Sequence, residues 1–168
     1  SNTARFMDQI IEIVDFSEKY APAFKALNKE WITKYFKMEE MDRISLNNPQ
    51  AYILDKGGYI GVALLNGEAV GVCALIPSTR DGFDFELSKM GVSPKAQGKG
   101  IGKKLGSHII AKAKTLGCKR LYLESNRVLQ PALQLYQKLG FTEIVGASSP
   151  YERSDIQMEL VLEDSTNV

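Results

Sequence analysis

The residues of this chain best placed to do chemistry lie at Gln97-Gly-Lys-Gly-Ile-Gly102. Three glycines alternate with other residues where an apparent strand, Phe85 to Val92, gives way to an apparent helix running to about Leu116. Glycines lack Cβ atoms and let a ligand approach the main chain closely. The first turn of a helix adds unpaired N–H groups and the positive end of the helix dipole. Together these make a site for an anion, most often phosphate. Two nucleotide patterns fail here on spacing. No register supplies Gly-x4-Gly-Lys-Ser/Thr. The fingerprint Gly-x-Gly-x-x-Gly puts its third glycine at Leu105 when started from Gly100, and at Lys103 when started from Gly98.

Other chemistries are narrowed by what the chain holds. Cys73 and Cys118 are far apart, and His108 is the one histidine. No Cys-x-x-Cys occurs. That excludes the usual zinc patterns and a paired Ser-His or Cys-His nucleophile, unless His108 is itself the base. Among Leu105, Ile109 and Ile110 in a helix, His108 reads as a spectator imidazole. No metal is expected. Lysines cluster at 99, 103, 104, 112, 114 and 119. They read as a solvated helix face, or, for Lys99, Lys103 and Lys104, as a share in attracting phosphate.

The elements that must position the glycine turn follow from hydrophobic period and turn chemistry. Gln9 to Phe16 reads as an apolar strand at a sheet edge, and Ser17 as an N-cap with Pro22 near the start of the next helix. Phe24, Leu27, Trp31 and Tyr35 recur at three- or four-residue spacing, which predicts an amphipathic helix. Met38 to Leu46 reads as a further short helix, ended by Asn47-Asn-Pro-Gln50. Tyr59 to Leu65 and Glu68 to Pro77 are apolar runs joined by Asn66-Gly67, a strong hairpin signal because both turn residues need positive φ. Asp81-Gly82 turns the chain into Phe83 to Val92. Ile101, Leu105, Ile109, Ile110, Ala113 and Leu116 form one helix face, and Gly117 ends it. Arg120 to Glu124 is a strand. Gln130 to Leu139 is a helix with Pro131 in its first turn and Gly140 at its stop. Phe141 to Val145 and Ser154 to Leu162 are the last strands, separated by a loop through Pro150. This order gives a mixed α/β fold with an antiparallel half.

The pattern Gln97-x-x-Gly100-x-Gly102 resembles the pyrophosphate-binding signature Arg/Gln-x-x-Gly-x-Gly/Ala of the GNAT superfamily of N-acetyltransferases. Glu86-Leu-Ser-Lys-Met-Gly-Val-Ser-Pro94 resembles that family's fourth strand, and Leu121-Tyr-Leu-Glu-Ser-Asn126 its fifth. Ala132-Leu-Gln-Leu-Tyr-Gln-Lys-Leu-Gly-Phe141 resembles its signature helix. The match covers residues 85 to 141. The segments Phe24-Lys-Ala-Leu-Asn-Lys-Glu-Trp31 and Pro150 to Leu160 resemble a bacterial subgroup, some of whose members are fused to a winged-helix regulator. The resemblance implies a GNAT-like fold: a twisted mixed sheet of about seven strands with flanking helices. Its parallel strands Glu86–Val92 and Leu121–Glu124 splay apart, and acetyl-CoA lies in the splay.

The resemblance also implies roles. Gln97, Gly98, Lys99, Gly100, Ile101, Gly102 and Lys103 would surround the pyrophosphate. Main-chain groups of Met90 and Val92 would pair with the pantetheine arm, helped by Asn126, whose other reading is a turn-forming asparagine. Tyr136 would be the general acid for the departing thiolate; on periodicity alone it is a core tyrosine. Glu86 would be the base, since eleven residues separate it from Gln97, the spacing found in the superfamily's histone acetyltransferases; alternatively it is a surface glutamate. The acceptor amine would arrive between the N-terminal helices and the last strands. That nominates Glu30, Trp31, Tyr35, Tyr151 and Arg153. Arg153 would either hold a carboxylate through two parallel hydrogen bonds or pair with Glu152 or Asp155.

Composition fits one soluble domain over residues 1–168: 44% hydrophobic, 24% charged, net charge +1. That charge steers the chain to neither nucleic acid nor membrane. Residues 1–6 are expected to be a tag remnant or disordered start, and residues 163–168 a frayed tail. The cysteine usage suggests a reducing, cytoplasmic location. The expected activity is direct acetyl transfer from acetyl-CoA to a primary amine of a small, amino-acid-like molecule, with a homodimer left open. A protein or peptide amine is the alternative acceptor, and a non-catalytic acyl-CoA sensor the alternative class.

Overall fold

The computed structural model describes residues 9–162. The expected start segment at 1–6 and the expected tail at 163–168 lie outside the described residues. The strands are β1 (Ile11–Asp15), β2 (Tyr59–Leu65), β3 (Glu68–Pro77), β4 (Phe85–Val92), β5 (Arg120–Ser125), β6 (Thr142–Glu143) and β7 (Ile156–Val161). The helices are α1 (Ala21–Tyr35), α2 (Glu40–Asn47), α3 (Ile101–Thr115) and α4 (Gln130–Lys138). The strands form one seven-stranded sheet in the order β1-β2-β3-β4-β5-β7-β6. Every neighbouring pair is antiparallel except β4–β5.

Local chemistry explains most of these elements. Asn66 and Gly67 turn the β2–β3 hairpin with φ of 52° and 82°, the left-handed pair such a turn requires. Gly117 (φ 79°) and Gly140 (φ 104°) close α3 and α4. α2 starts in a reciprocal capping box: Asp42 accepts from the Glu39 N–H, and Glu39 accepts from the Asp42 N–H. The sheet separates two cores. Leu105, Ile109 and Ala113 of α3 and Leu133 and Tyr136 of α4 pack on one face. Phe24 and Ile32 of α1 and Leu46 of α2 pack on the other.

Some expectations change. The α1 core stripe is Phe24, Asn28 and Ile32, while Tyr35 is half exposed. Asn28 is tolerated there because its amide donates to the Phe24 carbonyl and accepts from the Trp31 indole. Ser17 makes no side-chain cap; it precedes a 3-10 turn, Glu18–Tyr20, before α1. Leu116 is 44% exposed at the end of α3 rather than on its buried face. The expected strand Phe141–Val145 shrinks to the two residues of β6. A π-helical turn, Gln50–Leu54, follows α2 and buries Ile53; no period in the sequence announces it.

Candidate active site

The parallel pair β4–β5 is very short. Only Phe85↔Leu121 and Glu86↔Tyr122 are in register; β4 then runs on to Val92 and β5 to Ser125 without pairing to each other. The gap that opens there is the expected splay. A main-chain edge left without a strand partner must find another hydrogen-bonding group. A cavity of about 380 Å³ fills the splay and extends past the N-terminus of α3.

At one end lies the glycine turn. Gly98 and Gly100 sit at φ of 78° and 72°, and a Cβ built on either would meet no atom within 4 Å. The turn therefore needs glycine for its backbone shape and presents open space to a ligand. The first-turn N–H groups of α3 have no carbonyl one turn back to bond. Gln97, Gly98, Gly100, Ile101 and Gly102 line the cavity. Lys99 and Lys103 are not part of its wall. Lys103 is exposed and Lys99 donates to the Gln9 amide oxygen, so the glycine turn itself, more than the lysine side chains, faces the cavity.

Midway, Met90 and Val92 line the cavity. β4 is bulged here: Lys89 and Met90 together oppose the single residue Cys73, and Lys89 takes a left-handed φ of 54°. Bulges re-aim main-chain groups and side chains beside sites. Gly91 lets α1 sit directly on the strand, since a Cβ there would come within 2.9 Å of the Leu27 carbonyl oxygen.

Glu86 and Tyr136 also line this cavity. Burial, with Glu124 nearby as a second carboxylate, pushes the Glu86 carboxyl up to about 7 against the opposing pull of Lys89 and Arg80. A carboxyl so poised can take a proton near neutral pH. The Tyr136 ring packs edge-on against Phe141, and burial holds its phenol well above the usual tyrosine range. Asn126 lines the cavity too, with its amide held at both ends. It donates to the Arg153 carbonyl at 2.6 Å and accepts from the Val128 N–H at 2.9 Å. This is the turn-building use, and it leaves one amide hydrogen for a ligand.

At the far end stand Trp31, Tyr35, Tyr151 and Arg153. Glu30 does not join them; it is exposed beside Trp31 on the outer face of α1. Arg153 forms an ion pair, but with neither Glu152 nor Asp155. Its two terminal nitrogens each donate to an Asp42 carboxylate oxygen at 2.6 Å, and one also reaches Glu39 at 3.2 Å. Its guanidinium stacks on Tyr151 with the ring centroid 4.5 Å away. The fork nominated for a substrate carboxylate is therefore already engaged. Lys89 and Glu124 also line the cavity, and Asp42 stands behind its wall; motif reading nominated none of these side chains. Glu124 had one available signal, its alternation with Tyr122 along β5; in the structure the Tyr122 hydroxyl donates to it at 2.9 Å. His108 does not line the cavity and is bonded to the Tyr59 hydroxyl at 2.8 Å.

Among the described residues, no group of three or more His, Cys, Asp or Glu side chains is arranged to hold a metal ion. No helix among them is long and apolar enough to cross a membrane.

Comparison with known proteins agrees with this fold. Residues 18–141 match the model of the Acetyltransferase (GNAT) family. An uncharacterized Escherichia coli N-acetyltransferase, YjgM, is 42% identical over 79 residues, 46% of this chain and 47% of that protein. The N-acetylaspartate synthetase of Homo sapiens is 34% identical over 102 residues, 61% of this chain and 33% of that protein. The matched region thus spans half or less of either relative. A Staphylococcus aureus GNAT acetyltransferase structure superposes with a TM-score of 0.80 at 22% identity, covering 92% of this chain and all of the other. A Salmonella typhimurium acetyltransferase structure with its cofactor acetyl-CoA superposes at 0.71, 20% identical, covering 92% and 95%.

Proposed function

From the premise that this chain belongs to the Acetyltransferase (GNAT) family, we propose that it is an acetyl-CoA-dependent N-acetyltransferase whose acceptor is the primary amine of a small, amino-acid-like molecule. The observation that carries the reading is the convergence of Glu86, Tyr136 and the glycine turn on one cavity of about 380 Å³. Such a volume is at the low end for small-molecule sites, roughly 300–1,000 Å³. Part of it must take the pantetheine arm, which leaves room for a compact acceptor. The far end is walled by Trp31, Tyr35 and Tyr151, which suits a small side chain or a cation–π contact with an ammonium. Relatives named for the synthesis of N-acetylaspartate support an amino-acid acceptor.

In this reading the diphosphate of acetyl-CoA rests on the main chain from Gln97 to Gly102, and Lys99 and Lys103 add long-range attraction. The pantetheine arm runs along the unpaired edge of β4 at Met90 and Val92, with Asn126 across from it. The acceptor enters as an ammonium and loses a proton to Glu86, directly or through water. The free amine attacks the thioester carbon. Negative charge develops on the carbonyl oxygen, and a main-chain N–H of the bulged segment stabilises it. The carbonyl re-forms as the C–S bond breaks, and the second proton of the attacking nitrogen passes through water to the thiolate, so that the N-acetyl product and the free thiol leave. Because the Tyr136 phenol holds its proton so firmly, its contribution is a hydrogen bond to the departing thiolate, tightening as charge builds on sulfur.

A panel of free amino acids, their amides and lysine-containing peptides, followed by thiol release from acetyl-CoA, tests the acceptor class. The proposal expects free amino acids or similarly compact amines to give the highest kcat/KM. A clear preference for peptides would move the substrate class to protein.

A further inference from the structure

We propose that Asp42, which does not line the cavity, is the positioning residue of the acceptor site. It is fully buried and sits on α2, yet it is the point where three distant segments meet. Its Oδ1 accepts from Arg153 at 2.6 Å and from the Lys89 ammonium at 3.4 Å; its Oδ2 accepts from Arg153 at 2.6 Å and from the Glu39 N–H at 2.9 Å. Burial pushes the carboxyl up, but these donors outweigh it and hold Asp42 below the usual carboxylate range. The carboxylate is therefore ionised whenever the protein is near neutral pH.

What hangs on Asp42 is the geometry of the splay. Lys89 belongs to the β4 bulge, and a non-glycine residue in the left-handed region is strained unless its surroundings hold it there. The Lys89 side chain is almost entirely buried and fixed at two points, Asp42 and, at 3.1 Å, the Tyr151 hydroxyl. On the other strand, Asn126 follows β5 and donates to the Arg153 carbonyl at 2.6 Å. The sequence of contacts Asn126–Arg153–Asp42–Lys89 thus runs from the end of β5 to the bulge of β4. It ties the splayed strands together through side chains none of which belongs to the glycine turn. Lys89, Asn126, Tyr151 and Arg153 all line the cavity, so this strap is also the wall against which an acceptor must lie. Asp42 fixes where that wall stands and the aim of the bulged main chain facing the thioester.

The inference rests on the acetyl-transfer reading above and not on which amine is acetylated. The acceptor that wild type uses best is found first; steady-state kinetics on that acceptor then compare Asp42→Asn, Arg153→Met and the double variant. Acetyl-CoA affinity is measured by calorimetry and folding by thermal melting. Asn in place of Asp42 turns one acceptor oxygen into a donor facing the Arg153 fork. A displacement of the wall by about 1 Å is expected to lower acceptor kcat/KM by about 10²-fold. Acetyl-CoA affinity should fall far less, by about threefold at most, because the turn from Gln97 to Gly102 that would hold the diphosphate contains no residue of the strap. Since both substitutions cut one link, the double variant should be no worse than the poorer single. A residue that only held the fold together would lower the melting temperature and leave acceptor KM and kcat of the folded fraction unchanged. That result, or multiplicative losses in the double variant, overturns the proposal. If Asp42→Asn does not fold, Arg153→Lys serves: it keeps the charge and loses the two parallel bonds. It should raise acceptor KM about tenfold, the loss expected for roughly one charge-assisted hydrogen bond; an unchanged KM overturns the proposal equally. If wild type prefers peptides, the small-acceptor reading fails while the Asp42 comparison is read on those peptides.

Discussion

The two ends of the cavity are built in opposite ways. The anion end is local: one short stretch, Gln97 to Gly102, supplies both backbone shape and donors, and its side chains largely stay out of the way. The far end, where the acceptor would enter, is assembled: α1 contributes Trp31, β4 contributes Lys89, the loop before β7 contributes Tyr151 and Arg153, and Asp42 of α2 with its N-cap Glu39 braces Arg153 from behind. In the proposed function the end made of main chain takes the cofactor, whose anion such a turn can hold whatever its side chains. A site made of side chains from distant segments can be rebuilt by single substitutions without disturbing the first. The division of labour between cofactor and acceptor follows from that difference.

The sharpest way to test the division is to remove a group lying between the two ends. Tyr136→Phe keeps the ring packed on Phe141 and deletes only the hydroxyl. Turnover should fall by roughly 10²–10³-fold, the loss expected for one donor to developing charge, with acetyl-CoA affinity little changed. Wild-type turnover with an authentic acceptor would remove Tyr136 from the chemistry.

Glu86→Gln belongs to the acceptor half. With the carboxyl pushed up to about 7, wild-type kcat/KM should rise as pH passes through about 7 and the base ionises. The variant should lose that limb and be slower by about 10²-fold at neutral pH, recovering partly as rising pH deprotonates the amine unaided. Identical pH profiles would show that Glu86 is not the base.

Gly100 probes the local half. Gly100→Val would be strained at φ 72° whatever lies nearby, so its effect is ambiguous. Asparagine tolerates the left-handed region. Gly100→Asn therefore isolates the side chain intruding where the diphosphate should lie. Calorimetry should show acetyl-CoA binding about tenfold weaker with acceptor KM unchanged. Full affinity in the Asn variant, with loss only in the Val variant, would mean the glycine serves the turn and not the ligand.

Stability responds as well. The folded protein holds Glu86 above its ordinary 4.5, so the folded state binds that proton more tightly than the unfolded chain. Its ionisation costs stability as pH rises from about 4.5 through 7. Glu86→Gln should melt higher than wild type at pH 8, by a difference of about 3 kcal/mol at most, and close to it at pH 4. Equal melting at both values would show that the site does not penalise the charge.

Much of this molecule was settled by its amino acids in their order. The hairpin at Asn66-Gly67, the stops at Gly117 and Gly140, and the left-handed glycines before α3 depend on backbone preferences that a few consecutive residues impose. The resemblance of residues 85 to 141 was readable for the same reason, because a strand, a glycine turn and a helix N-terminus follow one another within it. Other features exist only once the chain is folded. Two residues of register between β4 and β5 open the splay, and strand pairing is a property of two segments at once. The bulge at Lys89 leaves an ordinary-looking strand sequence behind it. Arg153 showed a cation near Tyr151, and its sequence neighbours Glu152 and Asp155 offered themselves as partners. The partner is Asp42, 111 positions away. An ion pair has no period and no local signature. Its charges attract according to distance in space, and only the packing of α2 against the loop before β7 brought these two within reach.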